Sequence, residues 1–89
     1  MWCVYVIQHT ETRQHYIGST SDLTKRVDQH NQGMTKATQR KDGRWILIYA
    51  EAYRSKQDAQ RREQMLKHHG NAKQKLFLRI RNSFLEVQK

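Results

Sequence analysis

Six consecutive residues, Trp2 to Ile7, are aromatic, β-branched or otherwise suited to a pleated sheet, and they dictate a strand near the start of the chain. A second short strand, His15 to Gly18, is expected after the polar segment Gln8 to Gln14. The connection is within hairpin range, although no Asn-Gly or Asp-Gly pair marks the turn. Pairing the two runs brings Cys3-Val4-Tyr5 beside Tyr16-Ile17-Gly18. If Tyr5 and Tyr16 point to one face, their phenols meet.

Further elements follow. Ser21 or Asp22 caps a helix that stops near Gly33, with Leu23, Val27 and His30 on one face. Met34 to Arg44 reads as a basic loop, and Trp45 to Tyr53 as a third strand whose apolar part is Trp45 to Tyr49. Ser55 to Asp58 resembles a capping box and opens a second helix, expected to run to about His69 and stop at Gly70. Asn71 is the expected cap of a third helix carrying Leu76, Ile80, Phe84 and Val87. The order β-β-α-β-α-α gives an α+β (α/β) fold: a small three-stranded antiparallel sheet flanked by helices. Residues 1–89 form a single domain in this reading, with no proline, low-complexity stretch or linker to divide them.

Charge narrows the partners. The 17 Lys and Arg against 8 Asp and Glu give +9, which implies a polyanion. DNA is the expected partner, with RNA as an open alternative. No run approaches membrane-spanning length, and none has the pattern of a secretion signal. One cysteine, Cys3, cannot form an intramolecular disulfide, which fits a reducing, cytoplasmic setting. No phosphate-cradling glycine loop and no zinc-finger spacing of Cys and His are present.

Several side chains carry candidate chemistry. Arg26 and His30 are four residues apart on the first helix and border its apolar stripe, so they face the edge of a cleft beside the tyrosines. A phenol with an ordinary pKa near 10 is a poor base and needs a cation, a metal-bound water or a histidine relay. Glu63 falls between Ala59 and Leu66 on the apolar side of the second helix, where a carboxylate must be paired or bound to a cation. A salt bridge with Arg62, Lys67 or Arg26 is one explanation. A single-carboxylate site for Mg²⁺ is the other. Glu51 is the rival carboxylate. His68-His69 fits a helix C-terminus better than a metal pair. Lys25, Lys36, Arg40, Lys41 and Arg44 form a basic rim expected to contact phosphates, and Lys73, Lys75 and Arg79 make a second run on the third helix.

Taken in order, Cys3-Val4-Tyr5, Tyr16-Ile17-Gly18-Ser19, Leu23-x-x-Arg26-x-x-x-His30 and Ala59-x-x-Arg62-Glu63-x-x-x-Lys67 resemble the GIY-YIG endonuclease superfamily. More closely, they resemble its small stand-alone bacterial branch, similar to the nuclease module of the excision-repair endonuclease. The resemblance runs from Trp2 to about Leu78. The resemblance implies hydrolysis of DNA phosphodiesters with one divalent ion, Mg²⁺ or Mn²⁺. It also implies roles: Tyr5 as base or proton relay, Tyr16 as its assistant, Arg26 as transition-state cation, His30 as relay or tyrosine holder, and Glu63 as metal ligand. The family's first glycine is Cys3 here, and its following isoleucine is Val4. Where many members carry an asparagine after the metal glutamate, this chain has Lys75; Asn71 and Asn82 are the nearest asparagines.

The expected activity is therefore a metal-dependent DNA endonuclease, with structure- or single-strand-selective cleavage among its forms. The rival readings are a non-catalytic nucleic-acid-binding module and a nuclease subunit targeted by a partner protein or acting as a homodimer.

Overall fold

The computed structural model describes residues 1–39 and 42–85. Three strands, β1 (Trp2–His9), β2 (His15–Thr20) and β3 (Trp45–Tyr53), form one antiparallel sheet in the order β2-β1-β3. Helix α1 (Leu23–Asn31) precedes β3, and α2 (Lys56–His68) and α3 (Gly70–Arg79) follow it. The α+β class and the expected element order are both observed.

Alternation along β1 divides the interior in two. Val4 and Val6 join Ile17, Ala59, Leu66 and Leu76 beneath α2 and α3. Tyr5 and Ile7 face the other way, with Trp45, Tyr16, Leu23 and Val27 beneath α1. All four residues from Val4 to Ile7 are fully buried. A central strand covered on both faces explains why this segment is continuously apolar instead of alternating. On the edge strand β3, Leu47 stays 40% exposed.

The hairpin turn closes without a glycine pair because His9 organises it. Its buried Nδ1 accepts from the backbone N–H groups of Glu11 and Thr12, both at 3.2 Å. Helix α1 is capped by Asp22, whose carboxylate accepts from the Lys25 N–H. It ends in a Schellman arrangement, with Gly33 at φ 73°, its N–H bonded to the His30 carbonyl, and the Met34 N–H bonded to that of Gln29. The expected left-handed stop at Gly33 is therefore present. Asn31 then ties α1 to β3, giving and taking a hydrogen bond with the Trp45 backbone.

Several details differ from expectation, among them β1, which runs past Ile7 to His9. The second strand runs two residues further, because Ser19 and Thr20 continue the pairing with Val4 and Cys3. The basic loop holds a short 3-10 turn, Lys36–Thr38. Gly70 does not stop α2 but begins α3; the break is His69, in extended backbone at φ −119°, which takes the N-cap position of α3 in place of Asn71 without a side-chain capping bond. Phe84 is not on α3, which ends at Arg79. The chain turns through Arg81–Ser83 and lays Phe84 against His15 and Phe77, with ring centroids 5.0 and 5.1 Å away, while the Leu85 N–H donates to Gln8. Aromatic packing at the sheet end outweighs continuation of the helix. Val87 lies outside the described residues.

Candidate active site

The cross-strand register creates the site. Gly18 sits directly opposite Tyr5, so no side chain at that position crowds the Tyr5 phenol. A Cβ at Gly18 would stand 2.5 Å from the Tyr5 hydroxyl oxygen and 2.7 Å from Cζ, and 3.1 Å from Cε1 of Tyr16. The close approach needed here is at the glycine of β2. Cys3, which replaces the first glycine of the resemblance, is accommodated and partly exposed.

The sheet and α1 bring the expected residues together. Tyr5 is completely buried, and its hydroxyl lies 2.7 Å from Nε2 of His30, itself buried. The Tyr16 ring is 4.8 Å from the His30 ring and 6.4 Å from that of Tyr5. Nδ1 of His30 is 2.8 Å from the hydroxyl of Thr38, which in turn donates to the Thr35 carbonyl. With its one proton committed to Thr35, the Thr38 oxygen accepts from Nδ1–H. We assign His30 on this pattern the tautomer whose Nε2 accepts the Tyr5 proton. The Trp45 indole N–H donates to the Thr38 carbonyl and anchors this end of the chain of bonds.

Electrostatics reinforces that assignment. Burial pushes the Tyr5 phenol up to about 12, although the Arg26 guanidinium beside it pulls the other way. Burial, followed by the charge of Arg26, lowers His30 to about 4. At neutral pH the pair is a neutral phenol donating to a neutral imidazole.

Arg26 is half-buried. Its Nη1 donates to Gln29, while its buried Nε has no partner among the described residues. A buried guanidinium N–H without an acceptor is costly, and an oxyanion would satisfy it. A cleft of about 500 Å³ opens beside it, bordered by Trp2, Ser19, Thr20 and Lys25.

Glu63 enters from α2. One carboxylate oxygen accepts from the Ser19 hydroxyl at 2.5 Å, and the other lies 2.7 Å from Nζ of Lys67. The salt bridge considered from the sequence is thus with Lys67, not Arg62 or Arg26. Lys67 also lies 5.5 Å from the centre of the Tyr16 ring. Glu63 stands close enough to Tyr5 for its charge to raise the phenol's pKa. The rival carboxylate, Glu51, is fully engaged by Tyr49, Tyr53 and Arg62 on the β3 side. Asn71 lines a separate groove between α2 and α3.

The basic rim is divided. Lys25 borders the cleft beside Arg26. Lys36 is exposed on the 3-10 turn that ends in Thr38. The Arg44 backbone is bonded to Thr10, at the hairpin end of the sheet. Arg40 and Lys41 lie outside the described residues. Thr38 was not anticipated. A threonine among Lys, Arg and Gln in a loop has no periodicity to betray that it is buried.

Among the described residues no group of three or more His, Cys, Asp or Glu is placed to hold a metal. Glu63 with Ser19 is instead a one-carboxylate oxygen site that already attracts a cation, Lys67. That fits Mg²⁺, which takes few protein ligands and completes its shell with water and phosphate oxygens.

Comparison with known proteins agrees with this geometry. The chain is 39% identical over 62 residues to the UPF0213 protein ORF82 of Orgyia pseudotsugata multicapsid polyhedrosis virus, a match covering 67% of this chain and 59% of that protein. The chain therefore spans about three-fifths of the length of this relative. A UPF0213 protein of Bacillus halodurans, known from a solution NMR structure, superposes with a TM-score of 0.52 at 28% identity, covering 88% of this chain and 85% of the other. The model of the GIY-YIG catalytic domain matches residues 1–76. A match that runs from the first strand into the last helix, over a hairpin that places Tyr5 against Gly18, means that the chain belongs to the GIY-YIG family of nuclease domains.

Proposed function

We infer that the chain is a metal-dependent endonuclease that hydrolyses DNA phosphodiester bonds, with its 89 residues acting as one nuclease domain. The carrying observation is the buried Arg26 Nε without a partner among the described residues: Arg26 and Ser19 border one cleft, the Arg26 guanidinium lies beside the Tyr5 phenol that meets His30, and Ser19 is bonded to Glu63.

The residues divide the work. A scissile phosphate enters beside Arg26, whose guanidinium binds it and stabilises the charge that grows on its oxygens. Lys25 supports the flanking backbone. A water oxygen attacks phosphorus as the bond to the leaving oxygen breaks; that oxygen carries off the electron pair and takes a proton from solvent. The water's proton passes to the Tyr5 oxygen while the Tyr5 proton moves to Nε2 of His30. Tyr5 is too weak an acid to be ionised at neutral pH, so the two transfers are concerted. The charge of Arg26 disfavours a protonated His30, and a bound phosphate offsets that charge. Tyr16 packs on the His30 ring and orients the water. Glu63, set by Ser19, would hold the divalent ion, Mg²⁺ or Mn²⁺. When bound, that ion polarises the phosphate and neutralises developing charge.

The test is incubation with labelled single-stranded, duplex, flap and four-way DNA, and with RNA, with and without Mg²⁺ or Mn²⁺. Metal-dependent internal cleavage of DNA is the expected result, and the substrate panel reads out selectivity. Binding without cleavage of any substrate would favour a non-catalytic module.

A further inference from the structure

A second cationic groove lies on the opposite flank of α2 from Glu63. Arg62 and Glu63 are consecutive, so their side chains leave the helix about 100° apart. Glu63 reaches β2 through Ser19, and Arg62 reaches β3 through Glu51. Beyond Arg62 the α2–α3 interface opens into a groove of about 640 Å³. Lys75 and Arg79, four residues apart on α3, line one side, with Arg62 and His69 on the other. Met65 and Leu76 contribute an apolar floor.

Nothing acidic among the described residues neutralises the α3 wall. Helix α3 carries no Asp or Glu, and neither Lys75 nor Arg79 has a carboxylate within ion-pair distance among the described residues. Glu51, the carboxylate paired with Arg62 of this groove, is taken up by that arginine and two tyrosine hydroxyls. Lys75 and Arg79 stand one helical turn apart, about 6 Å along the axis. That row suits successive phosphates better than a single small anion.

We propose that this α2–α3 groove is a second phosphate-backbone site, which holds the same nucleic acid strand after it passes across α2 from the catalytic cleft. The proposal rests on the nuclease reading for the identity of the strand. A helix with its side chains is about 10 Å across, so the two sites are within a few nucleotides of each other. Charge complementarity selects a polyanion, and the position on the other flank of the helix that carries Glu63 selects the substrate itself. The groove lengthens the footprint and leaves the chemistry unchanged.

The test replaces Lys75 and Arg79 together with Gln. Lys73→Gln is the control, removing one charge instead of two, because Lys73 lies over Phe77, outside the groove. Affinity for a labelled oligothymidylate is measured by fluorescence anisotropy in EDTA, over a series of salt concentrations, with one long strand and one short enough to occupy only the cleft. For the long strand, losing two contacts should lower the slope of log affinity against log salt by about 1.4 and the affinity at about 0.1 M salt by roughly twenty-fold. The short strand should bind both proteins alike, and Lys73→Gln should change the slope by less than half as much. Equal losses for long and short strands, or an unchanged slope, overturn the proposal. Binding in EDTA requires no cleavage. A wild-type protein that shows the length-dependent effect but never cuts DNA would sink the nuclease reading and leave the groove standing; the reverse result would do the opposite.

Discussion

The Tyr5 hydroxyl stands 2.7 Å from Nε2 of His30, and both groups are buried. A phenol that burial keeps protonated is thereby given an acceptor for its proton. Tyr5→Phe removes that proton path without changing the shape of the core. Single-turnover cleavage at saturating DNA should fall roughly a hundred-fold or more, while DNA affinity changes much less. Affinity that drops as far as the rate would show that Tyr5 serves binding instead.

Gly18 should tolerate no side chain. In Gly18→Ala the new methyl group must displace the Tyr5 phenol, which is enclosed on every side. The expected cost is about 1–3 kcal/mol of stability, together with a loss of rate similar to that of Tyr5→Phe. Urea unfolding and single-turnover kinetics measure the two effects. A fully active, fully stable Gly18→Ala protein would mean that the hairpin does not hold Tyr5 against Gly18 in solution.

Thr38 positions the relay without touching substrate. Thr38→Val keeps its volume and removes the acceptor for Nδ1–H of His30. Nitrogen NMR of the imidazole should show the Nδ1-protonated form in the wild type and a mixture in the variant, with slower cleavage. Thr38→Ser should restore both. A variant with an unchanged tautomer ratio and a reduced rate would indicate a merely structural role.

Stability should fall at both ends of the pH scale. His30 titrates near 4 in the fold, against 6.5 for an ordinary imidazole. Between those values the unfolded chain binds more protons, so stability decreases as pH falls through that window. His15, also lowered by burial, acts in the same direction. Tyr5 and Tyr53 are raised from 10 to about 12, so there the native state binds more protons and stability decreases as pH rises. Thermal melting between these limbs should be nearly flat. His30→Gln should weaken the acid limb, and an unaltered limb would place the titration elsewhere.

Much of this arrangement can be read from the residues alone. The β1 run, the Asp22 and Ser55 caps and the Gly33 stop follow from local propensity and capping chemistry, which act within a few positions. The grouping of Tyr5, Tyr16, Arg26 and His30 follows from a hairpin and the helix after it, again short in sequence. What was hidden depends on distant partners. His9 is the local exception: its imidazole accepts from two N–H groups within three residues and closes a hairpin that no turn dipeptide marks. Thr38 is recruited by His30 and Trp45 from either side of the basic loop. Phe84 leaves its helical period for two aromatic rings. No local pattern encodes such long-range choices.

The most direct measurement is cleavage by Glu63→Gln compared with wild type over a titration of Mg²⁺ and Mn²⁺. The substitution keeps the hydrogen bond that Ser19 donates and removes the charge that pairs with Lys67. Wild-type cleavage should depend on the metal, and the variant should fall by roughly a hundred-fold or more at every metal concentration while remaining folded and binding DNA. Undiminished metal-dependent cleavage by Glu63→Gln would contradict the placement of the reaction at this site.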